Sequence, residues 1–218
     1  MATKKGTKRT SIVIVGGGGH AKVIAAVLAR RKEFRILGYV DPRDHGSLLG
    51  FPRLGSDDEL PALAKKRGVA AAIGVGKVKS GRARMKVAEG LRSLGFRLPP
   101  LVALSAVVAR DVVLGEGTVV MEGAVVQPGC VIGSAAILNT NSVVEHDCVL
   151  GDDVHVASGA VVSGGASIGD GSFVGAAAAI IQGIRVVGDC TIGAGATVTR
   201  DCLDAGTYVG APARRVKA

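Results

Sequence analysis

The sequence has no tryptophan, two tyrosines and four phenylalanines in 218 residues. So few aromatics leave no stacking platform for single-stranded nucleic acid, so a nucleic-acid partner is not expected. No uninterrupted apolar run reaches the roughly 18 residues that a membrane span needs. The first apolar run, Ile12–Val15, is too short for a secretory signal and is followed by glycines. A cytoplasmic protein with no membrane partner is therefore expected. The four cysteines include no C-x-x-C pair, which excludes the common zinc and dithiol motifs, and in the cytoplasm they stay reduced.

What the chain has instead is glycine and small aliphatic residues. Its 33 glycines are about twice the usual share. Its charge is divided unevenly. Residues 1–100 carry 21 Lys and Arg against 7 Asp and Glu, and residues 101–218 carry 6 against 11. A basic half beside an acidic half implies two domains, with an anionic small molecule bound by the first. Part of the excess lies in a basic segment, residues 1–10, expected to be a flexible tail.

From Val102 to Val198 a branched aliphatic residue recurs every six positions, 17 times without a gap. A period of six fits neither an α-helix nor a heptad. It fits short strands joined by turns, one inward residue per strand, which is the signature of a hexapeptide β-helix over residues 101–218. Four residues after each such position comes a column of mostly small residues. It includes Cys130, Cys148, Cys190 and Cys202, read as small buried hydrophobes at the corners of a prism. Gly115, Gly133, Gly151, Gly169 and Gly193 are expected to supply the turns. Asp152–Asp153 is read as a turn.

Residues 11–98 alternate strand and helix patterns, which predicts a small parallel sheet of Rossmann-like type. Ile12–Val15 reads as a strand, Gly16–Gly19 as a loop and Ala21–Arg31 as a helix. A second strand, about Arg35–Val40, ends at Asp41. Ser56–Glu59 reads as a capping box opening a helix to about Arg67. Residues 69–76 read as a third strand and Val78–Leu94 as a third helix, before a boundary at Pro99–Pro100. The loop fits G-x-G-x-x-A from Gly16 through Gly18 to Ala21, and a helix start there offers free N–H groups to a phosphate. Asp41 follows Gly18 near the spacing, roughly 20 residues, at which a ribose-binding acid is expected. A dinucleotide site and glycines that only tighten the turn both remain open on this motif.

The loop "GGGGHAK", followed by a hexapeptide β-helix carrying the triplet Glu145-His146-Asp147, resembles the bacterial nucleotide-sugar N-acetyltransferases and the related sialic acid O-acetyltransferases. The resemblance covers almost the whole chain after residue 10. It implies a left-handed β-helix with three hexapeptides per coil, a homotrimer, and acetyl-CoA as cosubstrate without a metal. It implies a nucleotide-linked amino sugar, rather than a dinucleotide, on Gly18, Gly19, His20, Asp41 and Gly74. His146 resembles the family's general base, Asp147 the acid that orients it, and Asn139 a polar neighbour that places His146 or the sugar. His155, Gly164, Ala176 and Ala194 resemble contacts of acetyl-CoA, with Gly164 offering its N–H to the thioester carbonyl. The ending Tyr208–Arg214 resembles the segment that closes the coenzyme end of the groove. Where many relatives carry two acids, this chain has Asp41-Pro42, which leaves the choice of base open.

The implied reaction is attack of a sugar amine on the thioester, with an imidazole of ordinary pKa near 6.5 taking the proton. Cys148 follows the dyad in sequence, but no acyl-enzyme is required. An alternative acceptor is a hydroxyl of sialic acid or another sugar. A zinc hydratase on the same β-helix would need three histidines, and the repeats hold two, His146 and His155. A non-catalytic sugar-nucleotide sensor is the remaining reading. The two histidines are separated by half of a three-hexapeptide coil, so they should not face one point of one subunit.

Overall fold

The computed structural model describes residues 9–216, in two compact units. Lys4, Lys5 and Lys8 of the expected tail lie outside the described residues. Thr10, also assigned to the tail, instead opens the first strand.

The first unit comprises residues up to Gly76 together with Gly90–Leu98. Its sheet has four parallel strands in the order β3-β2-β1-β4: β1 Thr10–Val15, β2 Phe34–Val40, β3 Arg53–Gly55 and β4 Val69–Ile73. Three of these match the expected strands; β3, three residues at the sheet edge, is too short to show a period. Ile12, Val13 and Ile14 of β1 and Ala70 and Ala71 of β4 are fully buried. The helix α1 (Gly19–Ala29) starts two residues earlier than its pattern suggests, because Gly19 and His20 already belong to its first turn. The capping box does not form. Ser56 makes no cap, its hydroxyl pairs with Asp58, and a 3₁₀ turn at Asp57–Glu59 leads into a short helix α2, Leu60–Ala64.

The second unit contains Pro99–Ala218 and, contrary to the sequence reading, Lys77–Glu89 as well. Two of that segment's five cations, Lys77 and Arg84, have side chains buried against turns of the repeats, and no hydropathy pattern announces such a contact. The helix α3 is also shorter than expected, Ala83–Ser93, since Val78–Arg82 forms a loop.

From β5 (Leu101–Val102) to β21 (Thr197–Val198), 17 two-residue strands each end on one of the periodic aliphatic positions. Each pairs in parallel with the third strand along, as Leu138 does with Val156, so three faces stack into a β-helix. From Val120 to Val198 every residue of the aliphatic column is at most 2 % exposed. The second column is buried too, and four of its polar members share one contact, while the Ser142 hydroxyl has no hydrogen-bond partner. Thr118, Cys130, Cys148 and Ser172 donate to the carbonyls of Gly133, Glu145, Ser163 and Val187, the same step along the chain each time. A thiol and a hydroxyl are therefore interchangeable there, since each fills a small slot and satisfies one carbonyl. Burial pushes the Cys148 and Cys202 thiols up to about 11, which keeps them protonated at neutral pH.

The glycines divide into two kinds. Gly115, Gly133, Gly151, Gly169 and Gly193 do not supply left-handed turns, because none has a positive φ. A Cβ on Gly133 would lie 2.6 Å from the backbone of Asp152 in the next coil. These residues let coils stack closely. The left-handed turn positions come two residues later, at Gly117, Gly171 and Gly195 for example, and are also filled by Ala135, Asp153 and Asp189.

Candidate active site

The candidate residues of the repeats lie at two corners of the β-helix. At the first, β12 (Val143–Val144) ends and the chain turns through Glu145–Asp147. Asp147 has φ 60°, a left-handed conformation that an Asp tolerates better than most residues. In a plain strand, adjacent side chains diverge to opposite faces. This turn brings them together, and His146 Nδ1 lies 2.8 Å from Asp147 Oδ2. With the Nδ1 proton given to the carboxylate, Nε2 carries the free lone pair. Nε2 sits over the next coil, where a Cβ on Gly164 would lie 2.6 Å from it. Asp147 likewise rests over the preceding coil, where a Cβ on Gly129 would overlap its Oδ1. Both side chains are largely exposed, 66 % and 72 %. The His146 ring is thus oriented but not enclosed by its own chain.

At the second corner Asn139 pairs with His155, on the next coil, and not with His146. Asn139 Nδ2 lies 3.3 Å from His155 Nε2, while Asn139 Oδ1 accepts from the Thr140 N–H at 2.8 Å. His155 is 6 % exposed, and its Nδ1 is 2.8 Å from the Lys77 carbonyl. Both ring nitrogens therefore have partners inside the chain. Burial, reinforced by the charges of Arg84 and Lys77, holds the His155 pKa down at about 4, despite the opposing pull of the Lys77 carbonyl. Ala176 and Ala194 lie on exposed turns stacked along this same corner, where Gly195 N–H donates to the Ala176 carbonyl.

In the first unit the expected binding residues gather at the carboxyl ends of β1, β2 and β4, on either side of β1, where the strand order reverses. Ligands of open α/β sheets bind at such a switch point. Gly18 caps α1 without a side-chain bond, and added Cβ atoms on Gly18 or Gly19 would meet nothing within 4 Å. The helix start is open, with no acidic residue in its first turn. Gly74 is the opposite case: its Cβ would collide with Ile14 and Ala21. Asp41 ties two loops together by accepting from Gly17 N–H at 2.7 Å and Arg43 N–H at 2.8 Å. Partial burial would raise its pKa, but those two donors and nearby His45 outweigh it and hold it low. His45 packs over Gly17, with its Nε2 3.4 Å from Asp41. Only the missing Cβ of Gly17 hints at this in the sequence.

Among the described residues, no three His, Cys, Asp or Glu side chains gather as a metal site would require. No helix among them is long and apolar enough to cross a membrane. A cavity of about 340 Å³ is lined by Val149, Ser167, Asp170 and Arg185, and one of about 230 Å³ by Arg9, Arg67 and Arg97; neither includes a candidate site residue.

The stacked hexapeptides and the His–Asp pair on one of their turns define a hexapeptide-repeat transferase. The bacterial transferase hexapeptide (six repeats) model matches residues 129–164, a stretch that contains the pair, and the PglD N-terminal domain model matches residues 11–90. The acetyltransferase domain of PglB from Neisseria gonorrhoeae is 36 % identical, covering 95 % of this chain and 100 % of that one, with a TM-score of 0.87. PerB from Caulobacter crescentus, solved with CoA and GDP-perosamine, is 37 % identical over 95 % and 97 % of the two chains, with a TM-score of 0.88. WeeI from Acinetobacter baumannii is 26 % identical over 95 % and 100 %, with a TM-score of 0.81. A comparison with curated proteins found no match. The chain belongs to the family of hexapeptide-repeat sugar N-acetyltransferases, with a small Rossmann-like sheet domain and a left-handed parallel β-helix.

Proposed function

We propose that the protein transfers an acetyl group from acetyl-CoA to the amine of a nucleotide-linked amino sugar. The observation that carries this reading is the 2.8 Å contact of His146 Nδ1 with Asp147, which leaves Nε2 as a free base over Gly164. Solved relatives support it: the PglB domain has been captured with acetyl coenzyme A and the Caulobacter enzyme with CoA and GDP-perosamine, the latter also in histidine-to-asparagine and histidine-to-alanine variants.

In this mechanism the sugar amine attacks the thioester carbon and the carbonyl oxygen becomes an oxyanion. His146 Nε2 takes the proton released by the amine, and Asp147 stabilises the imidazolium. The Gly164 N–H supports the oxyanion. Collapse breaks the carbon–sulfur bond, and the imidazolium returns its proton to the leaving CoA thiolate. His146 and Asp147 are catalytic in this scheme, and Asn139 orients the acceptor. Gly164, Ala176 and Ala194 line the coenzyme groove, while Gly18, Gly19, His20, Asp41 and Gly74 hold the nucleotide sugar, with its phosphates at the open start of α1. Dependence on acetyl-CoA places the reaction in the cytoplasm.

We further propose a homotrimer whose partner encloses His146. Val113, Val131 and Val149 stand in line on one face of the β-helix at 57 %, 45 % and 51 % exposure. Such a stripe is a common mark of an interface. Analytical ultracentrifugation reading three subunits tests this.

The activity test measures CoA thiol release with UDP-, GDP- and dTDP-linked amino sugars, and with free sialic acid as the hydroxyl acceptor. Turnover on one of the amino sugars supports the proposal. Folded protein with no turnover on any of them, or acetylation of sialic acid alone, overturns it.

A further inference from the structure

One corner of the β-helix carries a ladder of turn carbonyls. Gly117, Ala135, Asp153 and Gly171 follow one another coil by coil, with φ of 68, 55, 53 and 69°. Two buried cations bind all four. Arg84 donates from Nε to the Ala135 carbonyl at 2.9 Å and from Nη2 to the Gly117 carbonyl at 3.3 Å. Lys77 Nζ donates to the carbonyls of Asp153, Gly171 and Gly81, and lies 3.3 Å from Asp153 Oδ1. The Lys77 side chain is 4 % exposed and Arg84 is fully buried. Four oxygens around one nitrogen suit an ammonium, because an amine would turn a lone pair toward one of them. Asp153 completes the set by accepting from Met85 N–H at 2.9 Å.

This ladder fixes the backbone of Lys77, whose carbonyl meets His155. Because a carbonyl only accepts, the His155 proton resides on Nδ1 and Nε2 is an acceptor. Nε2 faces the Asn139 Nδ2 donor, and the edge-on ring of Phe173, with centroids 5.1 Å apart, closes the remaining side. A protonated ring would set two donors against each other at Nε2. A ring flipped about its own axis would lose both bonds.

We infer that His155 is a positioning residue: anchored by Lys77 in the Nδ1–H form, it fixes the orientation of the Asn139 amide, the group proposed to orient the acceptor. The inference rests on the acceptor-orienting role proposed for Asn139 in acetyl transfer. It adds a route by which two cations far from the chemistry set the geometry of the site.

The test combines three measurements on the full-length protein. Nitrogen-15 NMR of labelled histidine should show His155 as the Nδ1–H tautomer, unchanged from pH 5.5 to 9. A His155 signal that titrates in this range, or an Nε2–H tautomer, overturns the inference. Acetyl-CoA binding by calorimetry should change less than twofold in His155→Ala, and a tenfold loss would make His155 a direct coenzyme contact. With GDP-perosamine as the probe acceptor, or whichever amino sugar turns over, His155→Ala and Asn139→Ala should each lower kcat about tenfold. The double variant should fall no further, because coupled residues do not add. Multiplying losses would overturn the inference. His155→Gln, which keeps a donor and an acceptor, should recover most of kcat and guards against misfolding. If no acceptor turns over, the acetyl-transfer reading fails, while the tautomer and the binding constant still decide the role of His155.

Discussion

The imidazole of His146 occupies the space that a side chain on Gly164 would fill, with Nε2 2.6 Å from the Cβ position. The two residues lie one coil apart, so the stacking that builds the β-helix also seats the His146 ring. Gly164→Ala should push the ring off its seat while leaving the coil hydrogen bonds intact. We expect kcat to fall by roughly tenfold or more with little change in melting temperature. His146→Ala should fall further, by about 10²–10⁴, the usual worth of a general base. Single-turnover thiol release checks both, and equal activity of Gly164→Ala and wild type would refute the seating.

Asp147 performs two tasks that substitutions can separate. Its left-handed φ of 60° makes the turn, and its carboxylate accepts the hydrogen bond from His146 Nδ1–H. Asn accepts the left-handed conformation nearly as well as Asp but carries no charge. Asp147→Asn should therefore keep the fold and lose about tenfold to a hundredfold in kcat. Asp147→Ala should lose that activity and about 1 kcal/mol of stability besides. Denaturant unfolding beside initial rates tells the two losses apart.

Lys77 and Asp153 form a buried ion pair joined by carbonyls on both sides. Removing one member strands the other, which typically costs about 3–5 kcal/mol. Lys77→Met should destabilise the protein by about that much, and Lys77→Met with Asp153→Asn by clearly less, since the stranded carboxylate is then gone. Thermal unfolding at one protein concentration reads the difference, and additive losses would argue against a direct pair.

Much of the fold could be read from residue spacing alone. The six-residue series names every inward position of 17 strands because each strand is a single layer whose pairing partner is always the third strand along. His146 and Asp147 were legible through the triplet Glu145-His146-Asp147, which resembles that of sugar N-acetyltransferases, and not through the six-residue spacing. Lys77, Arg84 and Asp153 did not stand out. Nothing in the residue pattern marks them as buried, and the backbone turns they satisfy explain their burial. The same blindness hid the Asn139–His155 pair, since their separation matches neither a whole coil nor the step from face to face. The stacking glycines were misassigned because sequence shows a missing Cβ without showing whether φ or a neighbouring backbone requires it.

Two glycines make that distinction measurable. Gly133 has an ordinary φ, but its Cβ would strike Asp152 in the next coil at 2.6 Å. Gly183 has φ 68° and nothing within 4 Å of its Cβ position. Gly133→Ala should cost about 1–3 kcal/mol or more, as overpacking does when backbone must move. Gly183→Asn should cost less than about 1 kcal/mol, since Asn enters the left-handed region with local help. Paired urea titrations test the ranking, and the reverse order would mean that turn conformation, not coil spacing, dominates these positions.

The acid stability of the fold should carry the mark of His155. Its pKa falls from 6.5 to about 4 on folding, so between those values the unfolded chain binds a proton that the native chain refuses. Stability therefore rises with pH across this window, and the native state is penalised progressively as pH falls from about 6.5 to 4. A shift of this size corresponds to a penalty on the order of 3 kcal/mol once pH is below about 4. His155→Gln has no proton to bind in either state and keeps the donor and acceptor pattern. Urea unfolding at pH 7, 5.5 and 4.5 should show the wild type losing stability faster than His155→Gln as pH falls. Parallel losses in the two proteins would mean that His155 protonates freely in the folded state, and the fixed Nδ1–H form would then be untenable.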